Sequence, residues 1–209
     1  MSTAKKGKKL RDKWRAKEWI VAYSPPYFGS KAIAHIPVTD IEKALGRTIE
    51  VTLYDIMEEK DKDPQQYSKK LTFQITSISD GRAETILKAY EYSREYLKSL
   101  VRRGSSMINF IKDYTTKDNY TLRVYFIAFT LRRVNSSKKH RIRIIADDIL
   151  KEKASKMSFE QFIQEIVLGK ASSDIFNKAK KIVLLRHADI RKTKLVSKPK
   201  LEEVKVQAS

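Results

Sequence analysis

The sequence predicts an α+β fold: an antiparallel, barrel-like β-sheet with flanking helices concentrated in the C-terminal half. Three observations predict it. Apolar residues alternate with period two through residues 47–56, 68–78 and 122–129, the pattern of strands with a buried face. Turn chemistry at Asp80-Gly81 and across residues 115–119 separates runs of strand length. From Lys138 onward the apolar spacing becomes helical. Residues 14–200 are expected to form one domain, with a basic arm (residues 1–13) that orders on binding and a mobile tail (residues 201–209).

Composition narrows what such a domain does. The chain has 209 residues, 41% of them hydrophobic, and a net charge of +19. That is enough apolar material for a core, and enough self-repulsion to call for a polyanionic partner. There is no cysteine, which excludes disulfides and thiolate metal sites. No apolar run approaches the roughly 18 residues of a membrane span. The N-terminal segment is basic without an apolar core behind it, so it is not read as a secretory leader, and a cytoplasmic protein is expected.

The elements follow in order. Met1 to Lys17 carries eight basic residues and one acid, Asp12; Trp14 is offered as a base-stacking residue and Trp19 as a pin to the core. Residues 23–29 are extended and turn-bearing because of Pro25-Pro26. Thr39-Asp40 caps a short turn over residues 41–45 that Gly46 ends. Strands are predicted at residues 47–56, 68–78 and 82–92, the last two as a hairpin. Ser93 caps a helix over residues 94–103, with Arg102-Arg103 in its last turn and Gly104 as its stop. Two apolar runs, residues 107–114 and 120–131, make a central hairpin. Residues 125–129 are apolar on both faces, as in a barrel wall or a strand covered on both sides. Ser137 is taken as N-cap of a helix over residues 138–153, and Ser158 with Gln161 as a capping box before a second helix. A third helix over residues 173–181 and a last strand over residues 182–190 precede a basic tract.

The central hairpin is where charge accumulates. Between Arg94 and Arg143 there are thirteen Lys/Arg against three Asp/Glu. Arg102-Arg103, Arg132-Arg133 and Lys138-Lys139-His140-Arg141 with Arg143 bracket its strands. The last group sits at the start of a helix, where the dipole disfavours cations, and a phosphate backbone explains it. Together with Arg123, with Lys5, Lys6, Lys8, Lys9, Arg11, Lys13 and Arg15 of the arm, and with Arg191, Lys192 and Lys194, these cations and Trp14 form the candidate RNA-binding set. Tyr114, Tyr120 and Tyr125 are offered as further stacking residues.

Catalytic chemistry finds little support. There is no phosphate-binding glycine loop and no nucleophile elbow. His35, His140 and His187 are isolated, so no metal site is expected. Asp147-Asp148 point apart on a helix and suit charge neutralisation. No cofactor is expected. A free-standing RNA-modifying or RNA-chaperone protein is the alternative to a structural RNA binder. A third reading is a peripheral membrane or acidic-protein binder; it needs a basic amphipathic helix, and the best helix, residues 138–153, has its cations crowded at one end.

An ordered series of short motifs adds to this reading. Lys13-Trp14-Arg15 with Lys17-Glu18-Trp19 is followed by Gly46-Arg47 leading into residues 50–55, and by Tyr96-Leu97-Lys98-Ser99-Leu100-Val101-Arg102-Arg103. Then come Thr116-Lys117-Asp118-Asn119-Tyr120 with Leu122-Arg123, Ala128-Phe129-Thr130 with Arg133, Ile142-Arg143, and Ile190-Arg191-Lys192. In this order, over roughly residues 14–200, the chain resembles the S-three-Ae family of archaeal and eukaryotic small-subunit ribosomal proteins. The resemblance implies a structural protein of the small-subunit platform near the messenger exit. It also implies contacts to ribosomal RNA, to neighbouring ribosomal proteins, and to messenger RNA near the exit. The chain ends soon after Lys200, which points to an archaeal member. Asn119 stands where the family's turn carries glycine, and residues 135–139 lack the family's Ser-Gln pair.

Overall fold

One long strand, β5 (Arg82–Tyr92), organises an eight-stranded sheet. The computed structural model describes residues 14, 17–57 and 62–199; the arm (residues 1–13), Arg15 and the tail (residues 201–209) lie outside the described residues. On one edge β5 pairs along its length with β4 (Lys69–Ser79). Their hairpin closes through Asp80 and Gly81 at φ +48° and +76°, the two positive values that a tight primed turn requires. The other edge of β5 is shared. Its first residues take β1 (Glu18–Tyr23) in parallel, Val21 opposite Arg82. Its last residues take β8 (Leu185–Ser197) antiparallel, Tyr90 opposite Thr193. Beyond these lie β2 (Ala32–Val38) on β1, and β7 (Thr121–Thr130) then β6 (Met107–Thr115) on β8, while β3 (Thr48–Thr52) flanks β4.

The sheet is therefore mixed, mostly antiparallel and open, and the expected barrel does not form. Because β5 carries two different strands on one edge, the sheet branches instead of curling closed, leaving β2, β3 and β6 as edges. The apolar character of both faces of β7 has another origin. β7 lies between β6 and β8, and its Leu122, Val124, Phe126 and Ala128 join the main core. Ile127 and Phe129 are buried as well, and the Arg186 guanidinium carbon lies 5.8 Å from the Phe129 ring centre.

The helices complete that core. α3 (Ser136–Lys156), α4 (Phe159–Val167) and α5 (Lys170–Lys180) contribute Ile142, Ala146, Leu150, Phe162, Ile166 and Ile175 to one cluster with Ile108, Phe126 and Ile190. Each such large side chain stabilises the fold by about 1.5–3 kcal/mol on burial. A smaller cluster joins Ile20, Ala22, Val38, Ala44, Ile75 and Ala83 across β1, β2, β4 and β5.

Several boundaries move for local reasons. The strand expected over residues 47–56 ends at Thr52, whose hydroxyl accepts the Asp55 N–H (3.4 Å) and starts the one-turn helix α1 (Leu53–Ile56). Burial of Leu53 and Ile56 on the same side rewards that turn. Asp40 starts the turn at Ile41–Ala44 without capping it, its carboxylate pairing with Lys43 instead. α2 (Arg94–Leu100) is capped by Ser93 as expected but stops three residues early, so Arg102-Arg103 are not in its last turn. Asn135, not Ser137, precedes α3, and its side chain makes no cap bond. The Ser158 capping box forms. β8 begins at Leu185 and runs through the basic tract to Ser197, because buried Thr193 and half-buried Leu195 keep the alternation going.

Candidate nucleic-acid interface

The β6–β7 hairpin has two ends, and they treat charge differently. At the open end two hydroxyl side chains fasten the strand exits together. The Ser106 N–H donates to Thr130 Oγ1 (2.9 Å), and the Val134 N–H donates to Ser106 Oγ (3.1 Å). The Thr130 hydroxyl donates to the Arg132 carbonyl (2.6 Å), and the Thr130 N–H to the Ser106 carbonyl (3.0 Å). These bonds hold the turn carrying Arg102-Arg103 and the segment carrying Arg132-Arg133 at the same end of the hairpin. All four arginines are exposed. Gly104, at φ +79°, makes the tight return from Arg103 into β6.

α3 starts from this same end. Its first turn contains Lys138 and Lys139 and no acidic residue, and nothing caps it through a side chain. Lys138, His140 and Arg141 are exposed, Lys139 and Arg143 half-buried. Arg143 works within the chain, where its Nε donates to the Asn109 carbonyl (3.1 Å) and ties α3 to β6. Among the described residues, Arg102, Arg103, Arg132, Arg133, Lys138, His140 and Arg141 form no ion pair. The five exposed arginines and Lys138 of this group, uncompensated among the described residues, fit a polyanion backbone.

At the turn end most charges are matched within the chain; Lys117, exposed in the turn and in no ion pair among the described residues, is the exception. Arg123 reaches across the ladder to Asp113, Nε to Oδ1 at 2.8 Å and Nη2 to Oδ2 at 2.9 Å. That pairing holds the Asp113 carboxyl below the ordinary carboxylate range and raises the arginine. Lys112 pairs with Asp147 of α3 (2.5 Å), and the Tyr114 hydroxyl donates to the same carboxylate (2.8 Å). Burial, then the Asp147 partner, pushes the Tyr114 phenol well up. Burial also works to raise Asp147, but the bonds from Lys112 and Tyr114 outweigh it and leave the carboxyl lowered. Asn119, in place of the family's glycine, adopts φ +59° and closes the turn, since asparagine tolerates the left-handed region. Asp118 accepts the Phe159 N–H (3.0 Å) at the start of α4, and Tyr120 stacks on Phe159 at 4.4 Å. Tyr114 and Tyr120 are thus occupied by the fold and not free to stack on bases. Tyr125 is half-buried.

The cations of β8 are divided. Arg191 and Lys194 are exposed, whereas Lys192 is half-buried and paired with Glu91 of β5. Lys5, Lys6, Lys8, Lys9, Arg11, Lys13 and Arg15 lie outside the described residues. Trp14 is 63% exposed and meets Trp19 edge-on at 6.5 Å, with the Lys17 ammonium 4.2 Å from the Trp14 ring centre. Trp19 does not pin the chain to the core: it is 60% exposed on β1. Its outward position follows from the alternation in which Ile20 and Ala22 take the buried side.

Asp147, Asp148 and Asp189 have separate environments. Asp147 serves Lys112 and Tyr114, and Asp148 is exposed. Asp189 is buried and accepts the hydroxyls of Tyr92 and Ser172 and the Ile190 N–H; burial and this carboxylate together raise the Tyr92 phenol. That network joins β5, α5 and β8, a packing role that no linear motif announces. Among the described residues no group of His, Asp and Glu is arranged to hold a metal ion, and no helix is long and apolar enough to cross a membrane.

Comparison with known proteins agrees with the motif series. The sequence matches the Ribosomal S3Ae family over residues 5–199. It is 44% identical over 200 residues to a small ribosomal subunit protein eS1 of Sulfolobus acidocaldarius, covering 95% of this chain and 100% of that one. Proteins of the same name from Archaeoglobus fulgidus and Saccharolobus solfataricus are 41% and 40% identical, covering 95% and 98% of this chain and 93% and 96% of their own lengths.

Proposed function

The chain belongs to the Ribosomal S3Ae family, and from that premise we propose that it is a structural constituent of the archaeal small ribosomal subunit. Its role in translation is architectural and not enzymatic, and it works in the cytoplasm as part of the ribosome. It binds small-subunit ribosomal RNA at the platform, near the messenger exit side, and lies beside neighbouring ribosomal proteins and the emerging messenger.

The observation that carries the RNA contact is the open end of the β6–β7 hairpin. There, exposed cations without ion-pair partners among the described residues converge from three chain segments on one hydrogen-bonded ladder. Arg102, Arg103, Arg132, Arg133, Lys138 and Arg141 form this face, with half-buried Lys139 and the His140 imidazole beside them and Arg143 bracing it. Arg191 and Lys194 add charge from β8, and the N-terminal cations Lys5 to Arg15 add a second contact with Trp14. Counterion release makes such binding steeply salt-dependent. In cell extracts the protein should sediment with small subunits in moderate salt and leave them in high salt. Recovery wholly in the ribosome-free fraction at moderate salt contradicts the proposal.

A further inference from the structure

A second surface lies beside the basic rim and has a different chemistry. Where β7 ends and β8 has not yet begun, the Leu131 N–H donates to the Leu184 carbonyl (3.1 Å). This bond extends the β7–β8 pairing one step past Thr130 and Leu185 and fixes the two walls of a groove of about 680 Å³. Its apolar lining includes Leu131, Val134, Ile182, Val183 and Leu184, and its polar edge includes Arg132, Arg133 and Lys138 with Asn135. Leu131 is 54% exposed and Leu184 62% exposed. Among the described residues, none that lines it is acidic or aromatic.

That combination decides between partner classes. Exposed aliphatic side chains rimmed by charge mark a protein contact, since covering them removes apolar surface from water. A nucleic acid gains less here: its phosphates and bases can use the rim guanidiniums alone, and that leaves the aliphatic Leu131 and Leu184 uncovered. A polypeptide segment with a large aliphatic side chain flanked by carboxylates satisfies both halves at once. The aliphatic group covers Leu131 and Leu184, and the carboxylates meet Arg132, Arg133 and Lys138 in charge-assisted bonds. Arg102, Arg103, His140 and Arg141 do not line the groove and keep only the polyanion role.

We propose that the groove between the end of β7 and the start of β8 docks an extended, acidic-aliphatic segment of a neighbouring protein. Arg132, Arg133 and Lys138 thereby border both surfaces: where they line the groove they meet the segment's carboxylates, and on the exposed rim they join Arg102, Arg103 and Arg141 in meeting RNA. This deepens the ribosomal reading, which supplies the neighbour.

Two arms test it on the full-length protein and its Leu184→Asp variant; the exposure of Leu184 makes that change tolerable to the fold. In the first, a labelled synthetic peptide alternating Leu with Glu and Asp is titrated against each protein, beside a peptide in which Ser replaces Leu. The leucine peptide should bind, the serine peptide should bind at least about tenfold more weakly, and Leu184→Asp should lose the leucine peptide while keeping its affinity for small-subunit ribosomal RNA. Equal binding of both peptides, or leucine-peptide binding unaffected by Leu184→Asp, overturns the proposal. In the second arm, a photo-crosslinking amino acid replaces Leu184 in intact small subunits. The expected adduct is a protein segment with aliphatic and acidic residues; an adduct to RNA, or none, overturns the proposal. Absence of the protein from the subunit fraction would instead count against the ribosomal reading, and the peptide arm then decides the groove by itself.

Discussion

The two ends of the β6–β7 hairpin share one ladder but handle charge in opposite ways. At the turn end, Arg123 meets Asp113, Lys112 and Tyr114 meet Asp147, and Asp118 starts α4. At the open end, Ser106 and Thr130 hold the strand exits, and the arginines around them are exposed with no ion pair among the described residues. The contrast shows that the count of basic residues is a poor guide to where a partner binds. On the proposed reading, what marks a binding cation is the lack of a counter-charge among the described residues, on a backbone that is itself well fastened.

Removing the shared framework should have the largest effect. Phe126 is fully buried at the middle of β7, and Phe126→Ala is expected to cost about 3–5 kcal/mol, seen as a large drop in thermal midpoint with loss of RNA binding only through unfolding. Substituting Arg102, Arg103, Arg132 and Arg133 together by Ala should do the reverse. The thermal midpoint holds, while the slope of log affinity for ribosomal RNA against log salt falls by about 0.7–0.9 for each phosphate contact removed. Arg123→Ala, at the turn end, should leave that slope unchanged; a matching loss there would erase the distinction between the ends.

Smaller changes sharpen it further. Tyr114→Phe removes a buried hydroxyl bonded to Asp147 and should lower stability by about 1–2 kcal/mol without altering RNA affinity. The smallest effect should come from His187, which lies opposite Phe129 near the open end. Burial depresses its pKa below the ordinary histidine value, outweighing Asp189, which acts in the opposite sense; the Arg186 and Lys69 cations add to the depression. A histidine lowered in the folded state stabilises the fold fully above its unfolded pKa of about 6.5. That contribution is lost as pH falls through the folded value. Thermal midpoints taken from about pH 7 to about pH 5 should therefore decline, and less so in His187→Gln; equal slopes would show that His187 contributes nothing to the pH dependence.

Much of this arrangement was legible in the residues. The Asp80-Gly81 turn, the Ser158 capping box and the alternation through Leu71, Phe73 and Ile75 are local signals, and each appears where local chemistry places it. The cations at the start of α3 were legible for the same reason, since the dipole argument needs only the helix and its sequence. What was not legible depends on non-local pairing. Closure of the sheet hinges on which strands share the edges of β5, and the parallel pairing of β1 with β5 leaves no mark in either strand's alternation. The partners of Arg123 and Lys192 lie across ladders, at Asp113 and Glu91. The Leu131–Leu184 groove likewise joins positions far apart in the chain.

If the open end of the hairpin, and not the turn end, meets ribosomal RNA, the two ends should differ in the assembled particle. The most direct test is ultraviolet protein–RNA crosslinking of intact small subunits, with the crosslinked residues mapped by mass spectrometry. Adducts are expected within residues 102–103, 132–133 and 138–143, and none within residues 112–123. Adducts concentrated at residues 112–123, with the open end silent, would contradict the assignment of RNA binding to the open end.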